Sequence, residues 1–179
     1  HITSRTYKAM KTQTTHLEVE RSGTQVEGQF SIKATSKAFD ILSSGLYSDK
    51  IQAIVRELSC NAHDSHVAAG TPDLPIEIRL PTQLDATFYV KDYGLGLAHD
   101  DVMKLYTTYF ESTKTNSDDF IGQLGLGSKS PFSYASAFIV ESRFNGTRRM
   151  YSCFKNEQNL PAITLMGEEE TTEPNGVMV

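Results

Sequence analysis

The chain has 179 residues, a length that fits one domain with a single buried core and argues against two independent ones. With 39% hydrophobic and 22% charged residues, 12 Gly and 6 Pro, the composition excludes a disordered, collagenous or coiled-coil protein. The 17 Lys and Arg stand against 22 Asp and Glu, and a net charge of −5 lacks the strong positive field of a dedicated nucleic-acid-binding domain, although it leaves room for a local basic patch. No apolar run approaches the roughly 20 residues of a membrane-spanning helix, and the amino end has no signal-peptide layout, so we expect an intracellular protein. The two cysteines, Cys60 and Cys153, are far apart and fit reduced interior thiols rather than a disulfide framework. The chain starts at His1 and stops within the apolar run GVMV, which reads as an excised domain with its last strand cut short.

In chain order, residues 1–24 are polar and without periodicity and read as a flexible arm or edge, with the folded domain over 25–179. Residues 29–34 alternate like a strand, and Ser36 can cap a short helix through Ala38, Phe39, Ile41 and Leu42 that ends near Gly45. After Ser48 and Asp49, apolar residues at Ile51, Ile54, Val55, Leu58 and Ala62 form the stripe of a core-packed helix of about five turns that Gly70 and Pro72 end. Strands are expected over 76–80 and 87–90, a short helix over 100–106, a loop over 111–119 and a brief helix from Ser130 and Pro131. Two strands over 137–143 and 148–154 flank the hairpin signal Asn145-Gly146, and further strands follow over 162–166 and from Val177. This order predicts an α+β fold, a two-layer sandwich with helices on one face of a mainly antiparallel mixed sheet.

Three constellations carry chemistry. On the long helix Glu57, Asn61 and Asp64, at i, i+4 and i+7, project within about 60° of one another beside the core stripe, where side chains line a rim. A solvated face would show the same spacing, but Ser59, Cys60 and Asn61 in succession are mediocre helix formers. Asp92-Tyr93-Gly94-Leu95-Gly96 puts a carboxylate at a strand end before two glycines that let backbone approach a ligand, or that make an ordinary turn. Gly122-Gln123-Leu124-Gly125-Leu126-Gly127, running into Ser128-Lys129-Ser130, can present several N–H groups to phosphates at a helix start. It is not a Walker A loop: Ser128 stands where that motif needs Lys, and the preceding residues 116–121 are too polar for a buried strand. His63 and His66 with Asp64 lack a third and fourth metal ligand and read as solvated helix-face histidines rather than a zinc site.

In this order the three motifs resemble the E-x-x-x-N-A-x-D, D-x-G-x-G and G-x-x-G-x-G pattern of the GHKL, or Bergerat, nucleotide-binding domains of type II topoisomerases, Hsp90 chaperones, MutL proteins and sensor histidine kinases. The matches are Glu57 to Asp64, Asp92 to Gly96 and Gly122 to Gly127, and the resemblance covers roughly 30–179. The phrases V-R-E-L, Y-F-E-S-T-K and D-F-I-G-Q-L-G-L-G-S-K-S-P-F-S-Y look like the amino-terminal part of the rapid-lysis IIA proteins of T4-like phages. That likeness implies an early phage protein tied to lysis inhibition and escape from prophage exclusion, in the host cytoplasm or, at full length, peripheral to the host inner membrane.

What the resemblance implies is ATP binding with Mg²⁺ and slow hydrolysis. Asn61 would hold Mg²⁺, Asp64 would orient its waters, and Glu57 would act as base on the attacking water. Asp92 would accept from the adenine amino group. Gly94 and Gly96 would lie near the base, and Gly122, Gln123, Gly125 and Gly127 would cradle phosphates. Lys114, from a lid over about 106–121, and Lys129 would meet the phosphate charge. Where the family carries a late Gly-Thr pair, this chain has Gly176-Val177, so no hydroxyl contact is expected there. Expected partners are ATP, downstream domains of the same chain and a second copy joined through residues 1–24, with no direct nucleic-acid contact. The competing functions are a non-hydrolysing nucleotide-binding module and the ATPase domain of a topoisomerase-like or MutL-like protein; a kinase would need a phosphoacceptor domain that residues 1–30 are too short to supply.

Overall fold

A computed structural model describes residues 35–41, 45, 47–107 and 127–179. The expected arm, the strand at 29–34 and most of the lid, with Lys114, Gly122, Gln123 and Gly125, lie outside the described residues. The elements are α1 (Ser36–Asp40), α2 (Lys50–Ala68), β1 (Glu77–Arg79), β2 (Tyr89–Lys91), α3 (His99–Thr107), a 3₁₀ helix η1 (Gly127–Ser133), β3 (Ala137–Phe144), β4 (Thr147–Lys155), β5 (Pro161–Glu170) and β6 (Gly176–Met178).

Local chemistry explains most boundaries. Thr35, not Ser36, caps α1, its hydroxyl accepting the Ala38 N–H at 3.2 Å. Asp49 caps α2 in the same way through Gln52 N–H at 2.9 Å. Asn145 and Gly146 take φ of 50° and 78°, the turn type whose twist matches that of the strands it joins. β5 runs four residues past the expected end because Glu168 and Glu169 pair with Arg149 at 2.6 Å and Arg148 at 2.7 Å on β4.

The sheet has the order β1-β2-β6-β3-β4-β5, and all five pairings are antiparallel, so the expected antiparallel character holds without a parallel pair among the described residues. The last strand in sequence therefore sits in the middle of the sheet. Val140 pairs with Tyr151 and Phe138 with Cys153, which places all four side chains on one face. On that face they pack with Phe39 of α1, Val102 and Tyr106 of α3, and Phe132 of η1. Phe132 meets Phe39 and Phe138 edge-on at 5.5 Å and 4.8 Å, geometries worth about 0.5–1.5 kcal/mol each beyond the area buried. A second cluster joins Ile54, Leu58 and Ala62 of α2 to Val90 of β2, and Val179 packs against both clusters.

Other expectations are corrected. Ile51 is 61% exposed because the apolar groups under α2 begin at Ile54. Cys60 is exposed on α2, whereas Cys153 is buried in the core, where burial pushes its thiol up to about 12. Tyr106, where the expected helix meets the expected lid, belongs to the helix: it is buried near the end of α3.

Candidate functional site

The α2 stripe meets the start of η1. A Cβ built on Gly127 would lie 2.8 Å from Glu57 Oε2 and 3.7 Å from Asn61 Nδ2, so the end of the glycine motif rests directly against the two helical side chains. Glu57 is half-buried and its Oε1 accepts from Arg56 at 2.6 Å, while Asn61 is exposed and Asp64 half-buried one turn on. The Tyr47 hydroxyl is buried without a hydrogen-bond partner, and burial first, then the charge of Glu57, raises its pKa.

Asp92 follows β2 and is 6% exposed. Its N–H donates to Val177 O at 2.8 Å, which locks the turn to the central strand β6, and its Oδ1 accepts the Gly94 N–H at 2.9 Å. Burial raises its carboxyl pKa against the opposing pull of polar groups at Gly94, Val177 and Ser65.

The glycines of this turn admit protein. A Cβ on Gly94 would fall 2.2 Å from Ser65 Oγ of α2, and one on Gly96 would fall 2.1 Å from the Arg143 carbonyl of β3. Gly176 is pressed against the Asp92 carbonyl in the same way, at 2.0 Å. Close approach is thus required here, as the sequence implies, but its first use is to seat the turn between helix and sheet.

Two side chains that the sequence reading passed over hold this turn. His66, expected on a solvated face, is 0% exposed; it continues the i+4 stepping of Ile54, Leu58 and Ala62, and that extension is the signal that could have found it. Its Nε2 accepts the Tyr93 N–H at 2.8 Å and its Nδ1 meets Leu74 O at 2.9 Å. Arg143, also 0% exposed, donates to the Asp92 carbonyl at 2.8 Å and pairs with Glu173 at 3.2 Å; no local pattern announces it. On the next strand position, Ser142 Oγ accepts Leu97 N–H at 2.9 Å and donates to Leu97 O at 2.8 Å, closing the far end of the turn.

Lys129 is in η1, 1% exposed, and its amine donates to Leu105 O of α3 at 2.7 Å. Burial pushes this ammonium down to about 8. Glu57, Asn61, Asp64, Gly127 and the Asp92 turn are therefore brought together along α2, whereas the Lys129 amine is turned toward α3.

No family model matches the sequence. Similar curated proteins include the chaperone protein HtpG of Rhodococcus jostii (strain RHA1), 28% identical over 137 residues, 63% of this chain and 21% of that protein. Heat shock protein 90-6, mitochondrial, of Arabidopsis thaliana is 24% identical over 168 residues, 80% of this chain and 20% of that protein. The chain thus spans about a fifth of the length of these relatives. Among solved structures, the ATPase region of Saccharomyces cerevisiae topoisomerase II superposes with a TM-score of 0.51 at 17% identity over 70% of this chain and 35% of that one. The ATPase and transducer domains of DNA topoisomerase II from Balamuthia mandrillaris give 0.51 at 20% identity, over 72% and 36%. The fold of this chain is that of the topoisomerase II ATPase region.

Proposed function

We propose that this domain binds ATP with Mg²⁺ and acts as a slowly hydrolysing, nucleotide-dependent switch. The observation that carries this reading is the convergence of Glu57, Asn61 and Gly127 at one part of α2 with a buried carboxylate, Asp92, held against a later turn of the same helix. Asp92 accepts from the adenine amino group; guanine has an acceptor at that place, so the carboxylate also selects the base. Gly127, with Gly122, Gln123 and Gly125, faces the phosphates, and Lys114 supplies positive charge; the Lys129 amine, buried and bonded to Leu105 O, instead holds η1 to α3. Glu57 takes a proton from the attacking water.

The side chains fit a magnesium ion. Among the described residues no group of three or more His, Cys, Asp or Glu forms a metal cage, and Mg²⁺ with a nucleotide needs only one or two protein oxygens beside phosphates and water. Asn61 would provide such an oxygen, and Asp64 would orient the waters of the ion. When bound, the ion neutralises phosphate charge.

Finer assignments rest on the sequence. The phrases V-R-E-L, Y-F-E-S-T-K and D-F-I-G-Q-L-G-L-G-S-K-S-P-F-S-Y support a rapid-lysis IIA-like phage protein, acting in lysis inhibition and escape from prophage exclusion. Its place is the host cytoplasm, peripheral to the inner membrane at full length. Residues 1–24 join two copies when nucleotide binds. The topoisomerase likeness favours a second reading, a DNA-processing ATPase whose DNA contacts lie in other domains, in keeping with a net charge of −5 here.

Calorimetric titration with ATP, GTP and a non-hydrolysable ATP analogue, with and without Mg²⁺, tests the core of the proposal. Magnesium-dependent binding of ATP and its analogue, with GTP excluded, is expected. Equal binding of GTP, or no binding of ATP, refutes it.

A further inference from the structure

Alone among the titratable side chains of α2, His66 is fully buried, and the chemistry proposed above gives it no role. Its ring joins two backbone groups outside its own helix. The Tyr93 amide can only donate, so Nε2 is the acceptor and Nδ1 carries the hydrogen that goes to Leu74 O. One neutral tautomer is thereby selected. The preceding residue, Ser65, accepts the Leu95 N–H at 3.1 Å. Between these two amides, the Gly94 N–H goes to Asp92 Oδ1. Three successive amides of the turn, at 93, 94 and 95, thus point inward onto His66, Asp92 and Ser65. Gly94 leaves no room for a side chain between turn and helix.

We infer that Ser65 and His66 are positioning residues that set base selectivity: they hold the turn on α2 so that the Asp92 carboxylate faces the base at a fixed height above Glu57 and Asn61. The inference rests on the reading of Asp92 as the acceptor for the adenine amino group. Because Glu57, Asn61, Ser65 and His66 share one helix, the phosphate end and the base end of the site are set by the same rigid element. A side chain that served stability alone would weaken every ligand together when removed. A side chain that orients Asp92 changes discrimination between bases and leaves phosphate recognition as it was.

The test is calorimetry on the full chain with ATP, GTP and inorganic tripolyphosphate, each with Mg²⁺, for the parent, Ser65→Ala, His66→Leu, His66→Gln and Asp92→Asn, with urea unfolding of each. Ser65→Ala and His66→Leu are expected to bind ATP about tenfold more weakly, the loss of one well-formed hydrogen bond. Their ATP-to-GTP ratio should fall toward that of Asp92→Asn, with tripolyphosphate binding within about twofold of the parent. His66→Gln, whose amide oxygen can accept the Tyr93 N–H, should recover most of the ratio. An unchanged ratio in Ser65→Ala and His66→Leu beside a lost ratio in Asp92→Asn overturns the inference, as does an equal loss for ATP and tripolyphosphate. Where His66→Leu does not fold, an unchanged ratio in Ser65→Ala overturns it. If Asp92→Asn itself keeps the parent ratio, the assignment of Asp92 fails, and the positioning inference with it.

Discussion

Gly70 and Gly96 share a backbone conformation, with φ of 76° and 68°, but not an environment, and the pair separates two physical effects. An alanine at Gly70 would meet nothing within 4 Å, so Gly70→Ala bears only the penalty of a left-handed L-residue, about 1–2 kcal/mol. An alanine at Gly96 would bear the same penalty and in addition place its Cβ 2.1 Å from the Arg143 carbonyl oxygen. That oxygen is backbone of a central strand and cannot rotate away, so the turn must lift from the sheet, and overpacking of this kind costs about 1–3 kcal/mol more. Gly96→Ala should therefore lose about 2–5 kcal/mol, a large share of the roughly 5–15 kcal/mol of a typical domain. Urea unfolding of both variants and the parent measures the difference. Losses that agree to within about 0.5 kcal/mol would refute the argument that contact with β3 constrains this turn. With ATP present the contrast should widen, because only Gly96→Ala moves the segment that carries Asp92.

Asp92→Asn should weaken ATP binding ten- to a hundredfold, as expected for loss of a charge-assisted hydrogen bond, yet be more stable than the parent at neutral pH. Burial raises the folded carboxyl pKa, so the unfolded chain ionises first and the parent loses stability as pH rises through the folded value; the amide has no such loss, and a parent advantage that grows with pH in urea titrations would contradict this. For Lys129, folded at about 8 and unfolded near 10.4, the unfolded chain holds the proton longer, so this residue should contribute about 1 kcal/mol of added stability between pH 8 and 9. The Cys153 thiol, raised to about 12 when folded and ionising at about 8.5 when unfolded, opposes it over the same range, so the contribution is read as the difference in pH dependence between the parent and Lys129→Met, which lacks it; parallel curves would contradict the argument. Glu57→Ala should keep ATP binding while turnover falls 10²- to 10⁴-fold, and Asn61→Ala should lose the magnesium-dependent part of the affinity; full turnover in Glu57→Ala, or an equal binding loss in both, sinks the assignment of roles.

The sequence by itself determined what neighbouring residues decide. Asp49 and Gly70 bound α2, the i, i+3, i+4 stripe buries Leu58 and Ala62, Asn145-Gly146 turns the β3–β4 hairpin, and the spacing of Glu57, Asn61 and Asp64 sets them on one side of a helix. These follow from the 3.6-residue period and from turn chemistry, which act over a few residues. Tertiary structure decided the rest, because the fate of a polar group depends on which remote backbone groups lie opposite it. His66 is buried because the Tyr93 amide, 27 positions away, needs an acceptor and the Leu74 carbonyl a donor. Arg143 is buried because the Asp92 carbonyl, 51 positions away, lies against the strand that carries it. Lys129 turns toward Leu105 because α3 ends beside η1. β6 comes last in the chain and enters the middle of the sheet, so the seat of the Asp92 turn exists only once residues 176–178 have paired with both β2 and β3.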